Sequence, residues 1–431
     1  MERAPTRGLR APRPVLDVVR TLESAGFETW AVGGAIRDRL LGLPGGDWDL
    51  ATRARPRDVQ RLFRRTIPVG VDHGTVGVLA PGGSMIEVTT FRRDVVPLGR
   101  RALVEFADSI EDDLGRRDFT LNALAWHPVR DEVRDPFSGL RDLEQGVLRA
   151  VGDPDQRLVE DHLRILRGLR FAGRFSLRIE PATWEALVRR REQTRDLSAE
   201  RVREELTKVV AQDRRPSRAL GLYRASGVLG VLFAEIESAF SEAEPDAWTW
   251  ALATSDRLSL RDPTVRLVPL LHAVATWGGP ASVAVLLRRL RFSNAQMDRL
   301  VHLSAAWIPF PAPEADGPAL RRWLHRGGAE CRALMGLELA AARARQDGVG
   351  ADVSPVVRVW RALRGEARRR PPLTVGDLAI DGRDLIRHGL RPGPEFGVLL
   401  DRLLAEVIED PSANRPERLL ARVEQWTTGD A

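Results

Sequence analysis

The sequence of 431 residues is nearly free of cysteine and lysine. Its single cysteine, Cys331, excludes an intramolecular disulfide and any zinc site built from several cysteines, and it agrees with a reducing, cytoplasmic location. The N-terminal segment lacks the apolar core of a signal peptide, and no uninterrupted apolar run reaches about 18 residues. We therefore expect a protein that is neither exported nor embedded in a membrane.

Arginine supplies almost all of the positive charge, since only Lys208 among the 66 basic residues is lysine. A planar guanidinium donates hydrogen bonds in pairs and suits phosphate groups. The net charge of +6 thus favours a polyanionic partner, although a GC-rich genome would produce the same bias toward arginine. At about 150 residues per domain, the length predicts two to four domains.

Patterns of apolar residues divide the chain near residue 140. Before that point, an amphipathic run at 15–25 and glycine-rich turns alternate with short apolar segments. These segments predict strands near 28–33, 48–51, 76–80 and 85–91. Beyond it, spacings of three and four predict helices over 158–174, 183–191, 199–211, 217–233 and 281–291, with a loop at 308–318. We expect a mixed sheet with helices, followed by a helical array.

The segment AVGGAIRDRLLGLPGGDWDL, residues 31–50, combines paired glycines, an Arg-Asp pair and Asp-x-Asp. On an extended backbone the carboxylates of Asp47 and Asp49 leave the same face, roughly 6.6 Å apart along the chain. Two such carboxylates and substrate phosphates suit Mg²⁺. Gly33 and Gly34 let backbone N–H groups approach an anion at the start of a predicted helix. Each motif alone also fits a tight turn or a solvated loop, but together they indicate a nucleoside triphosphate and metal site.

A third carboxylate comes from the strand pattern MIEVTTF. Alternation puts Ile86 and Val88 on one face and Glu87 with Thr89 on the other. Glu87 could therefore join Asp47 and Asp49 in a metal site for phosphoryl transfer. The alternative is a solvent-facing glutamate on a half-exposed strand.

The segment RRDFTLNA, residues 116–123, concentrates charged and amide groups. Arg116 and Arg117 suit triphosphate oxygens, and Asp118 or Asn122 could hydrogen-bond a ribose hydroxyl. Alternatively, Asp118 is the N-cap of a helix that begins at Phe119.

In LVEDHLRILRGLRFAGRF, residues 158–175, Asp161 and Arg164 are three apart on a predicted helix and hence neighbours on its surface. Such a pair is usually a surface salt bridge. It could also offer a hydrogen-bonding complement to the Watson-Crick edge of a base, so that nucleotides are selected without a template. Arg167 continues the same stripe, and Arg170 lies further round the helix.

Six motifs in this order resemble the bacterial class II tRNA nucleotidyltransferases, the CCA-adding enzymes, which share ancestry with bacterial poly(A) polymerases. The motifs are GGAIRD, DWD, RRDFTLNA, DPFSGLRDLEQGVLRAVGDP, EDHLRILRGLRF and ERVREEL. The resemblance covers residues 31–206, and residues 373–411 resemble the family's C-terminal helical segment. It implies an α+β fold, in which a polymerase-β-like nucleotidyltransferase palm is followed by an all-helical neck, body and tail. The expected domains are a head (palm) at 15–145, a neck with the nucleotide-selecting helix at 146–215, a body at 216–350 and an RNA-binding tail at 351–431.

The resemblance also implies a reaction and a set of site residues. The tRNA 3′-hydroxyl attacks the α-phosphorus of CTP or ATP and pyrophosphate leaves, while the helical domains hold the acceptor end and elbow of the tRNA. Asp47 and Asp49 match the Mg²⁺ ligands, and Glu87 lies where the family carries its third acidic residue. Asp118 matches the ribose-discriminating residue, and Asp161 with Arg164 match the pair that recognises CTP and ATP. The remaining nucleotide-binding positions are Gly33, Gly34, Arg37, Asp38, Arg116, Arg117, Asn122, Arg167 and Arg170.

The segment 92–115 departs from the family pattern. Many members carry a flexible loop here with a tyrosine and a spaced Asp-x-Arg, and this sequence has neither. A CC-adding or A-adding specialist and a poly(A) polymerase share the same catalytic motifs and remain alternatives to CCA addition. An alternative from another class is an inactive helical RNA-binding protein with a degenerate palm. No His-Asp dipeptide occurs, so we expect no phosphohydrolase domain.

Overall fold

Two units make up the chain in the computed structural model. The structure describes residues 9–44, 46–70, 74–94, 104–259, 262–305, 307 and 309–428. One unit contains residues 1–205 and 218–232, and the other contains residues 206–217 and 233–431. The predicted α+β class is confirmed, because the described strands belong to the first unit and the second is helical. The division into head, neck, body and tail stays a prediction.

A seven-stranded mixed sheet forms the centre of the first unit, in the order β3-β4-β5-β2-β1-β8-β9. Among the neighbouring strands of this sheet, β2 and β5 run parallel and the other pairs run antiparallel. The strands are β1 (Thr29–Val32), β2 (Asp49–Thr52), β3 (Thr66–Gly70), β4 (Thr75–Leu79), β5 (Met85–Thr90), β6 (Arg92–Asp94), β7 (Val104–Phe106), β8 (Ala125–His127), β9 (Glu132–Arg134), β10 (Val147–Leu148) and β11 (Arg178–Ile179). The four predicted strands correspond to β1, β2, β4 and β5.

Hydrophobic cores cover both faces of the sheet. Leu50 and Val88 point into the core that includes helix α1 (Arg13–Ser24), whereas Ala51 and Phe91 point into the opposite core. This alternation follows from the two-residue period of a strand. It fixes the face of every side chain on β2 and β5, which positions the acidic residues described below.

Two helices that the sequence predicted as continuous are each divided into two in the structure. The N-terminal half contains the following helices. They are α1 (Arg13–Ser24), α2 (Gly34–Leu40), α3 (Pro56–Leu62), α4 (Ile110–Gly115), α5 (Gly139–Glu144), α6 (Pro154–Glu160), α7 (Leu163–Phe175), α8 (Pro181–Arg189), α9 (Ala199–Gln212), α10 (Pro216–Ala225) and α11 (Val228–Leu232). The prediction of one helix over 158–174 is wrong, since Asp161 is extended, with φ −153°, between α6 and α7. The prediction over 217–233 is wrong as well, because Gly227 adopts φ +79° between α10 and α11. A positive φ is incompatible with a continuous right-handed helix.

The C-terminal half is helical, as predicted. Its helices are α12 (Ala234–Ser241), α13 (Ala247–Arg257), α14 (Val268–Arg289), α15 (Asn294–Ala305), α16 (Gly317–Gly327), α17 (Cys331–Val349), α18 (Ser354–Arg368), α19 (Gly382–Arg387), α20 (Glu395–Glu409) and α21 (Pro416–Thr428). The predicted helix at 281–291 is the second half of α14. A separate hydrophobic cluster, which includes Leu385, Leu403 and Val423, joins α19, α20 and α21.

Helix α14 belongs to a stretch that is long and apolar enough to cross a membrane by length and composition alone. His272, Thr276 and Ser282 interrupt its apolar side chains, so it is not an uninterrupted apolar run. The helix is bent at Gly279, where φ is +77°, just before Pro280. Side chains near both ends, such as Leu271, are buried.

Candidate active site

Two carboxylates lie side by side on the sheet. Asp49 begins β2, and its register partner on the parallel strand β5 is Glu87. Side chains of register partners share one face of a sheet. Ile86 and Val88 point to the other face, where they are 3% and 0% exposed, as the alternation predicted. The structure thus brings Asp49 and Glu87 together on the face opposite these buried side chains.

Asp47 precedes this strand and its side chain is exposed. The intervening Trp48 is buried, and the guanidinium of Arg39 lies 4.0 Å from the centre of its ring. Burial raises the pKa of Asp49 from 3.8 to about 6, helped by the charge of Glu87 and, less, of Asp47, while Arg117 opposes the rise. Clustered negative charge of this kind is what a bound cation would neutralise.

The carboxylates match the donor chemistry of a divalent metal, since Mg²⁺ prefers oxygen ligands and shares its shell with substrate phosphates. Within the ranges that the structure describes, no group of three or more His, Cys, Asp or Glu side chains is close enough to hold an ion by itself. A metal here would therefore need oxygen atoms from water or substrate as well as the carboxylates.

Gly33 allows a close approach between backbone and side chains at this site. It lies between β1 and α2 with φ +74°, a conformation that favours glycine. A Cβ atom there would lie 2.9 Å from Arg117 Nη1 and 4.0 Å from Asp49 Oδ2. Arg117 is held by hydrogen bonds from Nη2 to Asp113 Oδ2 at 3.0 Å and from Nη1 to the Asn122 carbonyl at 3.3 Å. The glycine thus makes room for a fixed guanidinium beside the carboxylates.

A chain of hydrogen bonds links the Arg-Asp pair of α2 to residues 118–122. Arg37 donates to Asp38 Oδ1 from Nε at 2.8 Å and from Nη2 at 2.6 Å, and to Asn122 Oδ1 from Nη1 at 2.5 Å. Asn122 donates from Nδ2 to Asp118 Oδ1 at 2.8 Å. None of these four side chains belongs to a residue more than 8% exposed. The predicted nucleotide-binding residues here form one connected network.

Asp118 is the most highly coordinated carboxylate of that network. It accepts from the Phe119 backbone N–H at 2.8 Å and from Arg167 Nε at 2.7 Å, besides Asn122. Burial would raise the pKa of Asp118, but the charge of Arg167 and these hydrogen bonds outweigh burial and hold it below its usual range. The alternative that Asp118 caps an α-helix is wrong, because only a single 3₁₀ turn, Thr120–Asn122, follows it.

The predicted pairing of Asp161 with Arg164 on one helix surface is wrong. Asp161 follows the end of α6, where its Oδ1 accepts from the Leu163 N–H at 3.1 Å. Its carboxylate receives two hydrogen bonds from Arg201 Nη2, at 2.8 and 3.0 Å. Arg164 instead contacts the Glu160 carboxylate and donates to the Arg116 carbonyl at 2.9 Å. Asp161 is thus held by a residue distant in sequence, whereas Arg164 pairs with Glu160, four residues before it.

Helix α9 supplies two residues that sequence reasoning did not select. Arg201 binds Asp161, and four residues later Glu205 accepts from Arg170 Nε at 2.6 Å. Both belong to the motif ERVREEL, in which an Arg and a Glu four apart share one helix face. That spacing is the signal that could have identified them. One face of α9 therefore positions Asp161, before α7, and Arg170, within α7.

These groups line a cavity of about 630 Å³ in the first unit. Every predicted site residue lines it except Asp38, which belongs to the hydrogen-bonded network of Arg37, and Asp47. Nine arginines and five carboxylates face it, so its chemistry suits a polyphosphate with a metal ion. Lining residues that were not predicted are Val32, Leu50, Ala51, Thr75, Thr89, Arg92, Asp113, Leu163, Phe171, Arg174 and Arg201.

The segment 92–115, which departs from the family pattern, is described in part. Strands β6 and β7 pair antiparallel, and Arg93 contacts Glu105 at 2.8 Å. Residues 95–103 lie outside the described part of the chain.

Comparison with known proteins identifies the family. Residues 29–149 match the model of the poly A polymerase head domain, and residues 176–240 match that of the probable RNA and SrmB-binding site of polymerase A. The CCA-adding enzyme of Geobacillus stearothermophilus is 33% identical over 414 residues, covering 94% of this chain and 95% of that protein. The CCA-adding enzyme of Lactobacillus delbrueckii subsp. bulgaricus is 34% identical over 409 residues, covering 93% and 94%. This chain belongs to the CCA-adding enzyme family.

A solved structure of the family agrees over nearly the whole chain. The crystal structure of the Bacillus stearothermophilus CCA-adding enzyme in complex with CTP matches with a TM-score of 0.77 and 31% identity, covering 97% of this chain and 98% of that one. The predicted membership of the nucleotidyltransferase family is confirmed, and so is its polymerase head fold. Members of this family generally use a divalent metal ion. The role of each site residue stays a prediction.

Proposed function

We propose that the protein is a template-independent tRNA nucleotidyltransferase that adds CCA to the tRNA 3′ end from CTP and ATP. One observation carries the proposal: a single arginine-lined cavity contains the carboxylates Asp49 and Glu87 and also the Asp161 and Arg164 side chains. The first pair suits metal-assisted phosphoryl transfer, and the second suits recognition of the base. The proposal places the protein in the cytoplasm with its tRNA substrate.

The reaction is a displacement at phosphorus. The 3′-hydroxyl oxygen of the tRNA forms a bond to the α-phosphorus, and the bond to the bridging oxygen of pyrophosphate breaks. Mg²⁺ held by Asp47 and Asp49, with Glu87 beside them, would make the hydroxyl more acidic and neutralise charge that develops on the phosphate. Arg117 contributes a fixed positive charge beside Asp49, where the phosphate oxygens would bind.

Asp118 is suited to bind the ribose. An ionised carboxylate offers about four acceptor positions, and three donors from the protein occupy three of them. One position is left for a ribose hydroxyl, and the lowered pKa of Asp118 keeps the carboxylate ionised as an acceptor. Arg167 and Asn122 fix its orientation.

Asp161 and Arg164 are suited to select the base. Arg164 uses Nη1 for the Arg157 carbonyl and for Glu160, and one Nη2–H for the Arg116 carbonyl. A guanidinium has five N–H donors, so two remain for a base edge. Asp161 adds an acceptor that Arg201 orients. An acceptor and donors in fixed positions can distinguish cytosine and adenine from the other bases.

An incorporation assay tests the proposal against its alternatives. Purified protein is incubated with a tRNA transcript lacking CCA, labelled CTP or ATP, and Mg²⁺, and the products are separated by length. We expect products extended by three nucleotides. Two cytidines or one adenosine alone would identify a specialist, a long A tail would identify a poly(A) polymerase, and RNA binding without extension would identify an inactive RNA-binding protein.

Replacing Asp161 with alanine should weaken base selection. A bidentate base contact contributes about 1–3 kcal/mol, so we expect the preference for CTP over UTP to fall by about 5- to 150-fold. Competition between the two nucleotides in single-turnover incorporation measures the ratio. Asp155→Ala serves as the control. Asp155 Oδ1 accepts a hydrogen bond from Arg190 Nε at 2.9 Å, and the residue does not line the cavity. Equal loss of selection in both variants would contradict the role of Asp161.

The raised pKa of Asp49, about 6, predicts an acid limb in the activity profile. Below this pH the carboxylate takes up a proton, so it loses the charge that binds metal. We expect kcat/KM for CTP to fall about tenfold per pH unit below about pH 6, since kcat/KM reports groups of the free enzyme. Rates from pH 4.5 to 8 at constant ionic strength measure it. A profile that stays flat down to pH 4.5 would contradict this titration.

A further inference from the structure

Three exposed apolar side chains extend the sheet face that carries the carboxylates. Ile67 and Val69 on β3 and Met85 on β5 are 41%, 45% and 41% exposed. We call these three residues the apolar edge. They lie outside the lining of the arginine-rich cavity.

Strand register connects the apolar edge to the carboxylates. Asp49 is opposite Glu87, Glu87 is opposite Gly77 on β4, and Gly77 is opposite Ile67. Neighbouring strands are about 4.8 Å apart, so this row extends about 14 Å from Asp49 to Ile67. All four positions share one face.

Gly77 allows the apolar edge to be continuous. A Cβ atom at this position would lie 2.8 Å from Met85 Sδ and 3.0 Å from Val69 Cγ2. Both side chains therefore extend across the strand at the glycine. The result is a shallow apolar surface next to Glu87.

In-line geometry indicates what this surface contacts. Gly33 and Arg117 lie toward the β1 side of Asp49, where the triphosphate would bind. In an in-line displacement the attacking oxygen is opposite the leaving pyrophosphate. The acceptor end must then approach from the β5 side, across Glu87 and the apolar edge.

We propose that Ile67, Val69 and Met85 form a contact surface for the terminal nucleoside of the acceptor RNA. The inference rests on the proposed function. During CCA addition the terminal nucleoside changes from the discriminator base to cytosine and then to cytosine again. A surface that contacts it at each step has to tolerate every base, and apolar contact with a base face meets that need, whereas hydrogen-bonded readout does not.

Steady-state kinetics of the full-length protein tests the inference. Ile67→Ala with Val69→Ala, and separately Met85→Ala, remove the contact without unpairing a strand. We expect the KM for tRNA lacking CCA to rise about tenfold, equivalent to about 1.4 kcal/mol, and the KM for CTP to stay unchanged. Val129→Ala is the matched control, because Val129 is 46% exposed in the turn between β8 and β9 of the same sheet.

A gain-of-contact variant separates lost contact from a disturbed strand. Ile67→Phe enlarges the surface for a base and should lower the KM for tRNA severalfold. An unchanged KM for tRNA in the alanine variants, an equal rise in the KM for CTP, or a rise with Ile67→Phe as large as with alanine would overturn the inference. No incorporation by the unmodified protein would overturn the proposed function together with it.

Discussion

Asp49→Asn should reduce nucleotide incorporation by on the order of 10³-fold. The substitution keeps the size of the side chain but removes the charge that lies next to Glu87 in the register of β2 and β5. A metal that activates the hydroxyl and neutralises the phosphate contributes several kcal/mol to the transition state, and about 4 kcal/mol corresponds to this factor. Single-turnover incorporation of CTP at saturating Mg²⁺ measures the effect, and Asp47→Ala combined with Asp49→Ala should show it as well.

Two controls make this result specific. Asp17→Asn removes a half-exposed carboxylate from α1 of the same unit and should leave the rate unchanged. Binding of tRNA to Asp49→Asn should remain within about twofold of the unmodified protein, because the helical regions supply most phosphate contacts in the proposed complex. Incorporation by Asp49→Asn at the unmodified rate would refute the assignment of the catalytic carboxylates.

The same substitution should stabilise the protein without metal. The pKa of Asp49 is raised to about 6 in the folded state from 3.8, so folding disfavours the ionised carboxylate. This cost is present above about pH 6 and disappears as the pH falls toward 4. We therefore expect Asp49→Asn to unfold at a higher temperature than the unmodified protein at pH 7.5 in EDTA, and at about the same temperature at pH 4. Such a trade-off is typical of active sites.

The sequence was sufficient to predict elements whose pattern is local. The strands β1, β2, β4 and β5 follow from short apolar segments between turns, and the structure has each within about two residues of its prediction. Strand β3 was not predicted, because Pro68 lies in the middle of its five residues and lowers the strand tendency of the segment. That strand supplies two of the three residues in the apolar edge.

The break between α6 and α7 at Asp161 was not predicted, because the pattern of apolar residues does not show it. Leu158 before it and Ile165 after it are both fully buried, so the helical spacing of apolar residues continues across the break. Only the backbone at Asp161 departs, and its carboxylate bonds the Leu163 N–H. A carboxylate that competes for a backbone N–H is a local effect that apolar periodicity does not record.

Side-chain partners were the part of the site that local spacing could not supply. Arg201 is 40 residues from Asp161, and Glu205 is 35 residues from Arg170. Within α7, Arg167 and Arg170 have no acidic residue three or four positions away, so helical spacing offers them no partner. Tertiary packing brings Asp118 to Arg167 and Glu205 to Arg170, so these ion pairs emerge only from the folded structure.

Glu205→Ala should destabilise the first unit by about 3–5 kcal/mol. Glu205 and Arg170 are 1% and 4% exposed, and a hydrogen bond of 2.6 Å joins them. Removing one partner of a buried ion pair leaves the other charge unpaired in a medium that solvates it poorly, which is among the most costly single substitutions. Urea denaturation followed by the fluorescence of buried tryptophans such as Trp30 measures the loss.

Two further variants show whether the unpaired charge is the cause. Glu204→Ala removes the exposed neighbour on α9 and should change stability by less than about 0.5 kcal/mol. Arg170→Met with Glu205→Leu replaces both charges by apolar groups, and such replacements are often neutral or stabilising, so we expect most of the lost stability to return. Incorporation should remain low in this double variant, because Arg170 faces the cavity beside Arg167. Recovery of stability without recovery of activity would show that Arg170 has two separate roles. The fold needs its charge only to pair with Glu205, whereas incorporation needs it in the cavity. A double variant as unstable as Glu205→Ala would instead show that the pair is held for its shape and hydrogen bonds.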